Sequence, residues 1–291
     1  MPNPSPLRYP GGKNRLASFI GLAIQNLNIY HCTYVEPFAG GAGVALSLLL
    51  NGIVDNIVIN DYDKAIYSFW RAIKQDHNAL IEKIIETPVT IDEWYRQRNI
   101  YSTATSYSVD LAFATLFLNR TNRSGILNAG PIGGYSQLGE WKLDVRYDKE
   151  TLISKIQLIA DRKHHIAVYN KDIISLLRNY AAGFGDNVFY YFDPPYYNKG
   201  QKLYKNFFTH QDHQRICDMI TSEITAPWII TYDDVKEIAE LYSEFDLRHY
   251  DLTYSAANKG TASELMIFSD IQCCPTAEQL SQNKIAINLR P

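Results

Sequence analysis

At 291 residues, with 46% hydrophobic and 20% charged side chains, the chain is long enough to bury a substantial core as one large domain or two smaller ones, and its composition excludes disordered and fibrous classes. A net charge of −3 excludes a global electrostatic footprint for nucleic acid, so such a partner needs a local basic face. Cys32, Cys217, Cys273 and Cys274 show neither CxxC spacing nor a disulfide framework, the start lacks a charged-then-apolar leader, and no apolar stretch approaches about 18 residues; the expectation is a protein of a reducing cytoplasm, neither exported nor membrane-spanning.

The opening segment RYPGGKNR invites a phosphate-loop reading, which fails on its details. That motif needs a glycine four residues earlier, Ser or Thr after the lysine, and a preceding strand; Asn14 follows Lys13 and no strand precedes. Residues 16–27 then read as an amphipathic helix. In TYVEPFAGGAGVALSLLLNG, residues 33–35 predict a short strand, 37–43 a small-residue loop and 44–50 the start of an apolar helix. This is the first half of a βαβ unit, whose glycines let a ligand approach the backbone. Residues 57–60 predict the next strand. It ends at Asp61, about 20 residues past the glycines, where α/β nucleotide sites place the acid that takes ribose hydroxyls. An acidic surface turn is the competing reading, and it suits neighbouring Asp63 better.

From residue 72 to 147 no buried strand is expected and helices predominate, over 79–86, 91–101 and 109–118. A polar segment follows, NRTNRSGILNAGPIGGYSQLGEWKLDVRY. An insertion of this size between two βα units predicts a separate lobe, dividing the chain into 1–71 with 148–291 and an inserted 72–147. Arg120, Arg123, Lys142 and Arg146, among asparagines, glycines and aromatics, are suited to gripping phosphates and reading base edges. A plain surface loop is the alternative.

The α/β pattern resumes with a helix over 149–162, a strand over 166–169 and a helix over 173–180. It reaches its centre at VFYYFDPPYYNKG. Residues 188–192 form an unbroken apolar run that suits a strand buried on both faces of a parallel sheet. Two adjacent prolines then force the backbone out of the sheet, leaving Asp193 and Tyr196 at the carboxyl end of a central strand, where open α/β sheets bind ligands. Asp193 and the carbonyls of Pro194 and Pro195 are acceptors able to converge on a planar –NH2 group, while Tyr196 or Tyr197 stacks on the ring that carries it. Fixing both hydrogens is what methylation of such an amine needs. An Asp-Pro turn with surface tyrosines is the plainer reading.

Residues 199–215 carry a net +3 from Lys199, Lys202, Lys205 and Arg215 against Asp212, suited to phosphate contact. His210 and His213 flank Asp212, but one short cluster without a fourth partner reads as a helix start, and no metal is expected. A helix over 213–224, a strand over 228–232 and a helix over 234–243 precede a terminal strand pair, 247–254 and 264–268, joined through Asn258-Lys259-Gly260 as an antiparallel hairpin.

Taken in order, these motifs resemble the Dam-like family of DNA adenine methyltransferases over nearly the whole chain. RYPGGK is similar to the family's amino-terminal cofactor motif, with Tyr9 where tryptophan is common. VEPFAGGAGV is similar to its glycine-rich motif, NDYD to its acidic turn, NKDI to its adenine-binding turn and DPPYY to its catalytic motif. NRTNRSGI resembles the entry to its target-recognition region. The resemblance implies an α/β, Rossmann-like S-adenosylmethionine methyltransferase sheet, mostly parallel with an antiparallel C-terminal hairpin, bearing a helical recognition insertion. It implies a site-specific adenine-N6 methyltransferase that uses S-adenosylmethionine, releases S-adenosylhomocysteine, and acts on an adenine flipped out of double-stranded DNA. Tyr9 and Lys13 would line the methionine side of the cofactor. Phe38, Ala39, Gly40 and Gly41 would approach its backbone, Asp61 its ribose, and Asp172 with Ile173 its adenine. Asp193 and the Pro194 carbonyl would hold the target amine, next to the cofactor, with Tyr196 stacked on the base. DNA contacts would come from Asn119, Arg120, Asn122, Arg123, Lys142, Arg146, Lys199 and Lys202. A cytoplasmic setting in a bacterial or phage-infected cell follows from the resemblance, which leaves a cognate restriction endonuclease open. A cytosine-N4 methyltransferase, usually with serine where Asp193 stands, and an inactive DNA-binding or cofactor-sensing homologue are the alternatives. The target sequence is not inherited from the family.

Overall fold

The computed structural model describes residues 3–8, 13–198, 208–253 and 261–291. Tyr9, Lys199 and Lys202, and the turn Asn258-Lys259-Gly260, lie outside the described residues.

Five parallel strands are built from short β-branched and aromatic runs: β1 (Thr33–Glu36), β2 (Asn56–Asn60), β3 (Ile166–Tyr169), β4 (Val188–Phe192) and β5 (Trp228–Asp233). The later strands β6 (Asp246–Thr253), β7 (Thr261–Phe268) and β8 (Leu289–Arg290) run antiparallel to their neighbours. The sheet order is β3-β2-β1-β4-β5-β7-β6-β8. Strand order therefore reverses between β1 and β4, and the crevice outside their carboxyl ends is where a ligand of an open α/β sheet is expected. The mostly parallel sheet with an antiparallel carboxyl-terminal hairpin is the arrangement the sequence predicts.

Each central strand feeds two cores. On β4, Phe189 and Tyr191 join one apolar cluster, while Val188, Tyr190 and Phe192 join the other. This explains why VFYYF has no polar alternation: neither face meets water. The first cluster takes the buried sides of α1 (Ala17–Asn26), α2 (Gly43–Leu50) and α3 (Lys64–Gln75). The second is covered by α8 (Ile173–Tyr180), α9 (His210–Glu223) and α10 (Lys236–Leu241). Helix α9 starts three residues before the predicted 213. Its Thr209–Asp212 capping box satisfies the first turn, so Asp212 serves the helix start and His213 enters the core against Tyr232.

The segment between β2 and β3 supplies α3 and then α4 (His77–Glu86), α5 (Ile91–Thr103), α6 (Val109–Thr121) and α7 (Lys149–Ala160). Helix α3 is not among the predicted elements. Asp63 caps it by accepting from the backbone N–H of Ala65, which gives that acidic residue its structural purpose. The predicted boundary at residue 72 falls inside α3, and α4, α6 and α7 share one apolar cluster with α1, α2 and the sheet. A last helix, α11 (Ala277–Gln282), packs Leu280 into the same cluster. No described helix is long and apolar enough to cross a membrane.

Two expected surface contacts are corrected here. Asn119 and Asn122, at the carboxyl end of α6, are 1% and 0% exposed. Asn119 accepts from the Arg8 N–H at 2.7 Å and donates to the Arg8 carbonyl at 2.7 Å and the Gly125 carbonyl at 2.8 Å. Asn122 accepts from the Trp94 indole at 2.6 Å and donates to the Ile126 and Leu127 carbonyls. Both amides are spent inside the protein, because loop backbone buried without water must find partners. They hold the shape of the segment that follows α6.

Candidate active site

The carboxyl end of β1 turns through Pro37 and Phe38 into Ala39-Gly40-Gly41. Gly40 has φ +45° and Ala42 φ +47°, so the chain makes two left-handed steps before α2 starts. Glycine makes the first step at little cost. Three bonds pin this loop to its neighbours. The Ala39 N–H donates to the Asn60 carbonyl, the Trp70 indole to the Gly40 carbonyl, and the Gly40 N–H to Asp61 Oδ2, each at 2.9 Å. Asp61, at the end of β2, accepts on its other oxygen from the Asp63 N–H at 2.9 Å. Each carboxylate oxygen keeps further acceptor capacity. Burial pushes the Asp61 carboxyl up to about 7, with the charge of Asp63 adding and the two N–H groups opposing.

Asn60 ties this loop to the turn after β3: its amide donates to the Pro37 and Lys171 carbonyls and accepts from the Lys171 N–H. Asn170 donates to the Asp61 carbonyl at 2.7 Å. Asp172 caps α8 by accepting from Ser175 at 2.9 Å, and Ile173 is buried behind it. Gly40, Asp61 and the Asn170-to-Ile173 turn are thereby brought to one rim of the sheet.

Across the reversal point, β4 delivers Asp193. Its Oδ1 accepts from Thr231 at 3.0 Å and lies 3.5 Å from the Lys13 ammonium. Thr231 is in turn paired with the Tyr191 hydroxyl at 2.8 Å. Lys13 is buried, and its ammonium sits 2.5 Å from Glu264 Oε2 and 3.0 Å from the Tyr250 hydroxyl. Tyr196 donates to Glu264 Oε1 at 2.7 Å, and Lys13 Nζ lies 5.2 Å from the centre of its ring. Burial raises the Asp193 carboxyl; Lys13 opposes this, Glu264 adds to it, and the Thr231 hydroxyl opposes it. Glu36, at the end of β1, accepts from the Ala45 N–H, and burial pushes it to about 8.

The DPPYY turn is held from beneath. Asp233, at the end of β5, accepts from the Tyr197 N–H at 2.8 Å and the Asn198 N–H at 2.9 Å. Sequence reasoning passed over Asp233, Glu264 and Thr231. Glu264 and Asp233 had one usable signal, an acid adjoining an apolar strand, but their partners are far away along the chain.

The basic candidates separate by environment. Arg8 and Arg120 are half-buried, and burial pushes both below the ordinary arginine value, Arg120 to about 10, with the charge of Arg146 adding in each case. Arg8 Nη1 and Arg120 Nε are buried without a hydrogen-bond partner among the described residues. Arg146 is exposed beside them. Arg123 is exposed and lines a surface pocket with Ile132, Glu140 and Trp141. Lys142 donates to the Gln137 and Gly139 carbonyls, stapling the same loop.

Among known proteins, the family model for D12 class N6 adenine-specific DNA methyltransferase matches residues 9–256. The Type II methyltransferase M.MjaIII of Methanocaldococcus jannaschii is 24% identical over 216 residues, 65% of this chain and 68% of that protein. Two structures of the rRNA methyltransferase aviRa from Streptomyces viridochromogenes align over 90% and 85% of this chain and 86% and 83% of theirs, at 12% and 10% identity with TM-scores of 0.40 and 0.37. With its glycine turn and Asp193 facing each other across the strand reversal and the family match spanning both, the chain belongs to the D12 class of N6 adenine-specific DNA methyltransferases.

Proposed function

We propose that the chain transfers a methyl group from S-adenosylmethionine to the exocyclic amine of an adenine flipped out of duplex DNA. The observation that carries this reading is the placement of Asp193 just past the end of β4, beside the reversal point, on the strand next to β1 with its glycine turn, and 3.5 Å from the buried Lys13 ammonium. The residues at the rim suit the cofactor. Gly40 and Gly41 present backbone without side chains, Asp61 retains acceptor capacity for ribose hydroxyls, and the Asp172–Ile173 turn offers a polar cap and an apolar surface to adenine. When bound, S-adenosylmethionine supplies an electrophilic methyl group on its sulfonium.

The protein's share of the chemistry is positioning and electrostatics. An adenine N6 is a weak nucleophile because its lone pair is delocalised into the ring. Asp193 and the Pro194 carbonyl each accept one of its hydrogens, and the Asp193 charge favours the positive charge that grows on nitrogen as the new N–C bond forms. Tyr196 stacks on the base, its ring oriented by the hydroxyl's bond to Glu264. A base inside a duplex cannot reach this turn, so it must leave the stack. Lys142 braces the loop that carries Arg123, the exposed candidate for a base edge. Arg120 and exposed Arg146, joined by Arg8, form a cluster of positive charge suited to a DNA phosphate.

Three outcomes test this reading. Asp193→Asn keeps shape but loses the charge, so the single-turnover rate at saturating DNA and cofactor falls by about a hundredfold or more; a rate within a few-fold of wild type removes Asp193 from the chemistry. Ribose hydroxyls donating to Asp61 favour its ionised form, so cofactor binding releases a proton and tightens as pH rises through about 7. Calorimetry should give roughly tenfold tighter S-adenosylmethionine binding at about pH 8 than at about pH 6, a dependence lost in Asp61→Asn; the same pH dependence in both proteins takes Asp61 out of the site. Arg120→Ala and Arg146→Ala should each weaken binding to all DNA sequences alike and reduce the salt slope by about 0.9 per lost phosphate contact. An unchanged slope in both variants places the phosphate contacts elsewhere.

A further inference from the structure

Glu264 is 0% exposed, although the methyl transfer described above asks only for Asp193 as an acid at this point. Burying a second carboxylate beside the first is costly unless its bonds repay it. β7 fixes its location: Glu264 stands opposite Tyr250 on β6 and Asp233 on β5. Its two oxygens accept from, among the described residues, Lys13 at 2.5 Å, Tyr250 at 2.6 Å and Tyr196 at 2.7 Å. Lys13 thus lies between two carboxylates, 2.5 Å from Glu264 and 3.5 Å from Asp193.

That asymmetry matters for the reaction. An ammonium in full contact with Asp193 would occupy the acceptor that the adenine amine needs and would neutralise the charge that stabilises the growing positive nitrogen. We propose that Glu264 is a positioning residue for methyl transfer: it draws Lys13 away from Asp193 and fixes the ring of Tyr196, so that Asp193 meets the amine as a charged acceptor. This inference rests on the reading that Asp193 receives the amine. A purely architectural ion pair, tying the amino-terminal segment to β7, is the competing role, and it affects stability alone.

The two roles differ in how the rate depends on pH. Asp193 must be ionised to accept the amine, so the rate rises with pH as its carboxyl titrates. Among the described residues, the groups facing it are Lys13, Thr231 from β5, Glu264 from β7, Glu36 from β1, and the phenols of Tyr34, Tyr191, Tyr232 and Tyr250. Burial pushes these phenols well above their ordinary value, so they stay neutral, and Glu36 titrates only near 8. Lys13 and Glu264 are the charged partners that act on the Asp193 carboxyl. Glu264 raises the Asp193 carboxyl and Lys13 lowers it. Glu264→Gln removes the first influence and lets Lys13 close in, so both changes move Asp193 downward.

The experiment is the single-turnover methylation rate against pH, at saturating duplex DNA and S-adenosylmethionine, for wild type, E264Q, E264D and D193N. E264Q is expected to lose at least tenfold at the plateau while its acid limb moves to lower pH, with DNA affinity within about threefold of wild type. E264D restores the charge, so its acid limb returns toward wild type and its plateau lies between the other two. An E264Q plateau within twofold of wild type with an unmoved limb overturns the proposal. If E264Q does not fold, as circular dichroism would report, E264D carries the test: a carboxylate one methylene short loosens Lys13 and Tyr196, the plateau falls several-fold, and a wild-type plateau overturns the idea. A D193N rate equal to wild type overturns instead the assignment on which this one rests.

Discussion

One buried cation held between a buried acid, Glu264, and a half-buried one, Asp193, is the constraint on which the site depends. Lys13 comes from the amino-terminal segment, Asp193 from the end of β4 and Glu264 from β7, so residues 180 and 251 positions along the chain from Lys13 meet at its ammonium. None of the three charges is tolerable there alone, since an unpaired buried ion costs far more than a paired one. Their contacts tie Lys13, β7 and the DPPYY turn together. Burial holds the Glu36 carboxyl near 8 and raises that of Asp193, a rise that Lys13 opposes.

The sheet explains why these parts converge. Parallel strands β1 and β4 end at the same rim and their following turns diverge, which opens a crevice without any strain in the strands themselves. Asp233 and Asn60 then do equivalent work on either side: one carboxylate clamps two N–H groups of the DPPYY turn, and one amide joins the loop after β1 to the turn after β3. The antiparallel hairpin contributes more than an edge, because β7 next to β5 is what brings Glu264 beside Asp193.

Much of this was legible in the sequence, for a physical reason. The strand over 188–192 is buried on both faces and admits no polar residue, and the half-buried edge strand over 166–169 is an unbroken apolar run, so both were bounded correctly by hydrophobicity alone. Helix α8 is flanked by an Asp172 cap and was likewise bounded correctly. Failures occurred where local chemistry has two uses. Asp63 reads equally as an acidic turn or a helix cap, and α3 was missed with it. The asparagines of NRTNR are as suited to a base edge as to a loop carbonyl, and only burial decides; Asn119 and Asn122 face inward. The short β8 and α11 carry too little pattern to register. The roles of Glu264 and Asp233 are set by partners that only the fold brings near, 251 positions away for the Lys13–Glu264 pair.

The central claim is that this site methylates the N6 of adenine in DNA. Its most direct measurement is to incubate unmethylated duplex DNA with the protein and S-adenosylmethionine carrying an isotopically labelled methyl group, digest the DNA to nucleosides, and identify the labelled product by mass spectrometry. The account predicts label in N6-methyladenine alone. Label in N4-methylcytosine, or a folded, cofactor-binding protein that leaves every nucleoside unlabelled on DNA of diverse sequence, would contradict it.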